Sequence, residues 1–260
     1  WLMYCSILIS NYNKEKYLKE CLSSCINQDY NDFEILIGDN GSQDKSIEII
    51  NSFESIKLFN IKRKFPTVEL NQINIIKNLF ESSKGEIILL LDSDDCFEKD
   101  KLKKISKIFN EDKSKECLCD LPQIINNSKT IKNFNYTNNT NFRERWPTIF
   151  PTSTISIRRD SFSNFINEKF EKEYSELAID FRLVTYFFNF KQNLSITDQL
   201  LTRYLSNSDG NENNYKKYTP RWWKRRSQSF DFLIEILKKK NIDHDKTIDY
   251  RVTRFLNKIF

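Results

Sequence analysis

The stretch GEIILLLDSDD, residues 85–95, decides how this chain folds. Ile87 to Leu91 run apolar without any polar alternation, the pattern of a central strand covered by helices on both faces. The run stops abruptly at Asp92, Ser93, Asp94 and Asp95. Carboxylates crowded into so short a turn repel one another unless a cation neutralises them, and oxygen-only ligation selects Mg²⁺ or Mn²⁺ over zinc. A solvated acidic turn capping the helix that follows near Asp100 is the plainer alternative.

Working outward, strand and helix signals alternate. Ser6–Ile9 reads as a buried strand, and the turn Asn11, Tyr12, Asn13 leads into a helix carrying Tyr17, Leu18, Cys21, Leu22, Cys25 and Ile26, with Asn13 as its expected N-cap. Phe33–Ile37 is a second strand, closed by the turn Asp39, Asn40, Gly41, Ser42. Ile56–Ile61 is a third, and Leu70–Ser83 a helix with Ile73, Ile76, Leu79 and Phe80 on one face, expected to end at Gly85. Repeated strand–helix–strand units imply an α/β fold with a largely parallel sheet, whose ligands bind beyond the carboxyl ends of the strands. The polar clusters Ser10–Asn13, Asp39–Ser42 and Asp92–Asp95 all fall at that edge.

Farther along, a helix is expected over Asp100–Phe109 and a short strand around Leu118. Residues 121–141 are polar and Asn-rich and read as mobile loops. Order returns with Trp146–Ile157, a helix after Arg158 and another over Leu177–Phe190. The last 40 or so residues read as amphipathic helices carrying Trp222, Trp223, Phe230, Ile234 and Leu237.

Composition narrows the chemistry. The 260 residues can bury a core without disulfides. Six cysteines lack paired zinc spacings, and a single histidine, His244, argues against zinc hydrolysis, so reduced thiols in a cytoplasmic protein are expected. No run reaches the roughly 20 apolar residues of a spanning helix. No export signal is seen, although a start at Trp1 leaves upstream residues to be expected. The net charge of +5 is too small to suggest a nucleic-acid groove.

The residues admit roles in pairs. Asp39 could accept from a nucleobase imide or a ribose hydroxyl, or serve as an Asx-turn residue. Asp180, in Ile179-Asp180-Phe181-Arg182-Leu183, could be a general base or a helix N-cap, with Glu176 competing for both. Trp146 could be a platform for a sugar face or a core residue.

The run CSILISNYNKEKYLKECLSSCINQDYNDFEILIGDNGSQDKS, followed by GEIILLLDSDD, resembles the family 2 glycosyltransferases of the GT-A fold in order and spacing over residues 4 to 110. The resemblance implies an inverting, metal-dependent enzyme that moves a sugar from a nucleotide-sugar, expected to be a UDP-sugar, to a glycan or lipid-linked acceptor in surface polysaccharide synthesis. It implies donor contacts at Ser10, Tyr12, Asn13, Asp39, Gly41, Ser42, Gln72, Asp92, Ser93 and Asp94. Asp94 and Asp92 become ligands of Mn²⁺ or Mg²⁺, and Asp180 the base, with Ile179 standing where an acid is usual. Pro151, Thr152, Ser153, Thr154 and Trp146 lie where relatives bind acceptor. A late metal-binding His has no counterpart in Tyr204-Leu205-Ser206-Asn207-Ser208, and Arg203 or the Arg221–Arg226 cluster is available to the diphosphate.

The domain division expected is 1–205 for the GT-A domain, with a nucleotide-sugar half at 1–115 and an acceptor half at 116–205, then a helical C-terminal extension at 206–260. Its basic aromatic segment, Trp222 to Arg226, could touch an anionic membrane peripherally or pack its tryptophans on the catalytic domain. A nucleotide-sugar-binding module of weak activity, or a sugar nucleotidyltransferase, stands as the alternative function.

Overall fold

A computed structural model describes residues 3–126, 129–133, 146–206, 215–242 and 247–259. The first half is a parallel α/β unit: β1 (Cys5–Asn11), α1 (Glu15–Ile26), β2 (Phe33–Asp39), α2 (Ser46–Asn51), β3 (Ile56–Asn60), α3 (Val68–Ser82) and β4 (Ile87–Asp92). After β5 (Cys96–Phe97) and α4 (Lys101–Glu111) come β6 (Cys117–Asn126), β7 (Lys129–Asn133), a 3₁₀ turn (Thr152–Thr154), β8 (Ile155–Arg158), α5 (Arg159–Ile166), α6 (Ile179–Thr185) and a π-helical segment (Tyr186–Lys191). The chain continues through β9 (Leu194–Leu205), α7 (Pro220–Lys239) and α8 (Ile248–Ile259).

Among the described residues one mixed sheet runs in the order β3-β2-β1-β4-β8-β6-β9-β5, with β7 paired to β6. β3, β2, β1 and β4 are mutually parallel, while β8 is antiparallel to both β4 and β6. β4 sits inside this order, and its side chains divide as a doubly covered strand requires. Ile88 and Leu90 join the core beneath α3, α5, α6 and α7; Ile87, Leu89 and Leu91 join the one beneath α1 and α4.

Four sequence expectations need correction. Asn13 is not the N-cap of α1: Lys14 holds that position, while Asn13 adopts φ 50° and its Oδ1 accepts from Gln43 N at 2.8 Å. Gly85 does not end α3, whose C-cap is Ser83; it is needed because a Cβ there would lie 2.4 Å from Ser6 N on β1. Residues 121–126 and 129–133 are strand rather than loop, and the short strand around Leu118 is ten residues long. Pro122 disguised β6, and it stands where the β6–β9 register shifts, the position in which a residue without an N–H is tolerated. Residues 134–141 lie outside the described residues, as does His244. Finally, the Leu177–Phe190 helix begins at Ile179 and changes at Tyr186 to π-helical winding.

The halves are pinned by an ion pair that no periodicity reveals. Lys101 on α4 and Asp120 on β6 are both 0% exposed. The Lys101 ammonium donates to Asp120 Oδ2 at 2.6 Å, Thr202 Oγ1 at 2.7 Å and Ser153 O at 2.8 Å, so all three of its protons are used. Burial leaves the Lys101 pKa lowered and that of Asp120 raised, and the attraction between them offsets each shift only in part.

The C-terminal helices are joined to this body unequally. Phe232 and Ile236 of α7 belong to the main core, and Thr219 caps that helix by accepting from Trp222 N. α8 turns its polar side to α7, where Arg254 pairs with Asp231 at 3.1 Å and Thr253 is buried. Its Ile248, Val252, Phe255 and Ile259 face outward. No helix among the described residues is long and apolar enough to cross a membrane.

Removing one partner of a buried pair strands the other charge, so Lys101→Met is expected to cost about 3–5 kcal/mol in urea unfolding. The double variant Lys101→Met, Asp120→Leu should recover most of that loss; equal unfolding midpoints for wild type and the single variant would contradict the assignment.

Candidate active site

The loops after β1, β2 and β4 converge, as expected, at the carboxyl edge of the parallel strands, on a cleft of about 1130 Å³. Its floor is acidic. Asp92 Oδ1 accepts from Ser10 Oγ at 3.0 Å and from Gln72 Nε2 at 2.7 Å, while Asp92 N donates to Ser153 Oγ at 3.1 Å. Burial, then the neighbouring Asp94 carboxylate, pushes the Asp92 carboxyl up to about 6 despite the Gln72 and Ser10 hydrogen bonds; Asp180 acts in the same upward direction.

Asp94 is paired with the Lys14 ammonium at 2.5 Å. Asp95 faces away from solvent, accepting from Ser153 Oγ at 2.5 Å and Leu205 N at 2.8 Å, and burial together with Asp94 and Asp92 raises its pKa well above the usual carboxylate range. The acidic turn is therefore no solvated cap: Asp100 is the N-cap residue of α4, and it makes no side-chain capping bond.

At the other pole Asp39 is 2% exposed and saturated. Its Oδ1 accepts from Ser42 Oγ at 2.6 Å and Asn11 Nδ2 at 2.7 Å, and its Oδ2 from Ser42 N at 2.9 Å and Gly41 N at 3.0 Å. It is the Asx-turn residue of this loop, and Gly41 at φ 79° supplies the left-handed backbone the turn needs. Asp39, Gly41 and Ser42 lie under the cleft wall, whereas Tyr12, Asn13, Asn40 and Gln43 line it. Sequence reasoning missed two residues here. Arg63 stacks over the Tyr12 ring at 5.0 Å, and the Asn11 Oδ1 acceptor is buried without a hydrogen-bond partner. The basic triplet Lys62-Arg63-Lys64 just past β3 was the available signal for the first.

Asp180 lines the same cleft from the first turn of α6, whose N-cap is Ala178, so capping is not its role. Glu176 is committed elsewhere: it accepts from Lys224 at 2.8 Å and Arg221 at 3.0 Å, and the Tyr215 hydroxyl lies 3.0 Å away. Burial would raise its pKa, but those three partners outweigh it and hold the carboxyl below its ordinary value.

Among the remaining predicted residues, Ser93, Pro151 and Thr152 reach the cleft, while Ser153 and Thr154 are buried behind the acidic turn. Trp146 is not brought to the cleft; its ring packs 4.9 Å from Phe230 and 5.6 Å from Phe181. Arg203 is held outside by Glu20 at 2.9 Å and Glu98 at 3.5 Å, whereas Arg225 of the later cluster lines the cleft. Trp223 is buried and Trp222 half-buried, with Arg226 over the Trp222 ring, so the aromatic side of α7 is largely packed against the protein.

An oxygen-binding cation fits this floor. Among the described residues no three His, Cys, Asp or Glu side chains close around a metal. Asp92 and Asp94 are the two carboxylates of the acidic turn that line the cleft.

Comparison with known proteins agrees with this geometry. Residues 6–166 match the family described as Glycosyl transferase family 2. An uncharacterized glycosyltransferase of Haemophilus influenzae is 39% identical over 103 residues, 38% of this chain and 39% of that protein. Poly(ribitol-phosphate) beta-N-acetylglucosaminyltransferase TarS of Staphylococcus aureus is 29% identical over 115 residues, 42% of this chain and 19% of that protein. The matched region is therefore less than half the length of these curated relatives. The crystal structure of S. aureus TarS 1-349 in complex with UDP-GlcNAc aligns with a TM-score of 0.69 at 19% identity, covering 98% of this chain and 70% of that one, and so shares its fold. Because the matched family span exceeds half of its residues, the chain belongs to glycosyl transferase family 2.

Proposed function

We propose that this chain transfers a sugar from a nucleotide-sugar to a hydroxyl of a glycan or lipid-linked acceptor, with inversion, in building a surface polysaccharide. The observation that carries the reading is the meeting of Asp92, Asp94 and Asp180 in one cleft at the carboxyl edge of the parallel strands. Support for a UDP-sugar comes from the complex of TarS with UDP-GlcNAc, and for a surface polymer from TarS itself, a poly(ribitol-phosphate) transferase. Six buried, unpaired cysteines suit a cytoplasmic setting.

The donor lies with its nucleoside toward Tyr12 and Asn40 and its diphosphate over the acidic turn. Asp94 and Asp92 would hold Mn²⁺ or Mg²⁺, which would neutralise charge on the leaving diphosphate. Ser10 and Gln72 keep the Asp92 carboxylate oriented toward that position. Asp180 takes the proton from the acceptor hydroxyl as its oxygen bonds to the anomeric carbon; the bond from that carbon to the diphosphate breaks, and its electron pair leaves with the nucleotide. A single displacement of this kind inverts the configuration.

Asp180→Asn should lower kcat roughly 10²- to 10⁴-fold, the usual worth of a general base, while leaving UDP affinity by calorimetry unchanged. Near-native turnover of a UDP-sugar by that variant would remove Asp180 from the mechanism. Mn²⁺ alone should bind weakly by electron paramagnetic resonance, and UDP should strengthen it at least roughly tenfold, with Mn²⁺ strengthening UDP by the same factor. Loss of that coupling is expected for Asp94→Ala; its survival would place the cation elsewhere.

A further inference from the structure

α7 carries four cations within residues 221–226: Arg221, Lys224, Arg225 and Arg226. Three are neutralised. Arg221 and Lys224 hold Glu176 at 3.0 and 2.8 Å, and Arg226 pairs with Asp249. Arg225 has no carboxylate partner among the described residues, yet it lines the cleft.

Its guanidinium is held in place by stacking 4.2 Å from the centroid of the Tyr215 ring. That ring is itself fixed: the Tyr215 hydroxyl donates to Glu69 Oε1 at 2.6 Å, lies 3.0 Å from Glu176 Oε2 and accepts from Arg221 at 3.2 Å. Tyr215, Glu69 and Glu176 are all buried. A planar cation stacked on an immobile ring loses little freedom when it binds a two-oxygen anion, and its fork matches phosphate or carboxylate oxygens.

The supports of this platform adjoin both the acidic floor and Asp180. Glu69 precedes Gln72, the partner of Asp92, by one turn of α3, and Glu176 precedes Asp180 by four residues. Both supports thus lie next to the elements carrying the diphosphate floor and the base, and both are buried. The nucleoside pole has a stacked arginine of its own, Arg63 over Tyr12. An acceptor approaching Asp180 meets a floor of carboxylates that repels anions, and Arg225 is a positive charge lining the same cleft without a carboxylate partner among the described residues.

We propose that Arg225 selects acceptors that carry an oxyanion, a phosphate or a carboxylate, near the hydroxyl to be glycosylated. The inference rests on the transferase reading given above and assigns the acceptor's chemical class.

The test uses the full chain saturated with UDP and Mn²⁺ and titrated by NMR with glucose 6-phosphate, glucuronate and glucose as probes. UDP affinity is measured first for wild type, Arg225→Gln and Arg225→Lys. Wild type should bind an anionic probe at least tenfold more tightly than glucose, and the phosphate and carboxylate arms identify which oxyanion is preferred. Arg225→Gln should abolish the preference with UDP affinity and melting temperature unchanged, and Arg225→Lys should keep part of it. No preference in wild type, or a preference that survives Arg225→Gln, overturns the proposal. A tenfold loss of UDP affinity in Arg225→Gln also overturns it, by assigning the guanidinium to the donor diphosphate. Failure of wild type to bind UDP would overturn the donor reading first and this inference with it.

Discussion

Mutual repulsion among carboxylates at the end of a dry strand is the constraint around which this edge is organised. β4 is apolar on both faces, so its chain leaves the core with no polar surroundings except those the fold provides. Asp92, Asp94 and Asp95 then follow within four residues, and Asp180 faces them. Each is met differently. Hydroxyl and amide donors hold Asp92, a lysine from the first loop meets Asp94, and Asp95 is turned inward onto Ser153 and the Leu205 amide. Ser153 links this turn to the second half of the sheet, since its carbonyl accepts from Lys101 while its hydroxyl faces Asp95 and the Asp92 amide. A cation bound there, as the proposed function requires, would relieve the residual repulsion among these carboxylates.

The parallel half of the sheet and its three ligand-facing loops could be read from the sequence because their signals are local. Apolar runs of strand length, turn residues at their ends and helical spacing between them all fall within about 90 residues. The second half escaped because its determinants are distant. β6 pairs with β8 and β9 with shifts in register, and its polar outer positions and Pro122 imitate a loop. Lys101 meets Asp120 and Thr202, 19 and 101 positions away, and no periodicity announces a buried ammonium.

Within the site, the same division holds. Ser10, Gln72, Asp92, Asp94 and Asp180 were named in advance and meet in the cleft. Asp39 was named too, but its four hydrogen bonds make it the scaffold of its loop, a distinction that depends on which way a carboxylate points and not on its place in the chain. Lys14, Arg63 and Arg225 are ordinary basic residues in a lysine-rich sequence and become distinctive only through what each touches: a carboxylate, a tyrosine ring and another tyrosine ring.

α7, expected from the sequence as part of a helical C-terminal extension, packs into the main core. Phe232 and Ile236 fill the same core as Leu8 and Leu90, and Glu176, one turn before Asp180, is held by Arg221 and Lys224. Deleting everything beyond residue 205 would therefore open a hydrophobic trough and leave a buried acid without its counter-ions close to Asp180. The minimal fragment worth expressing retains the helix through Lys239, and shorter truncations should be judged as folding failures before their inactivity is read as chemistry.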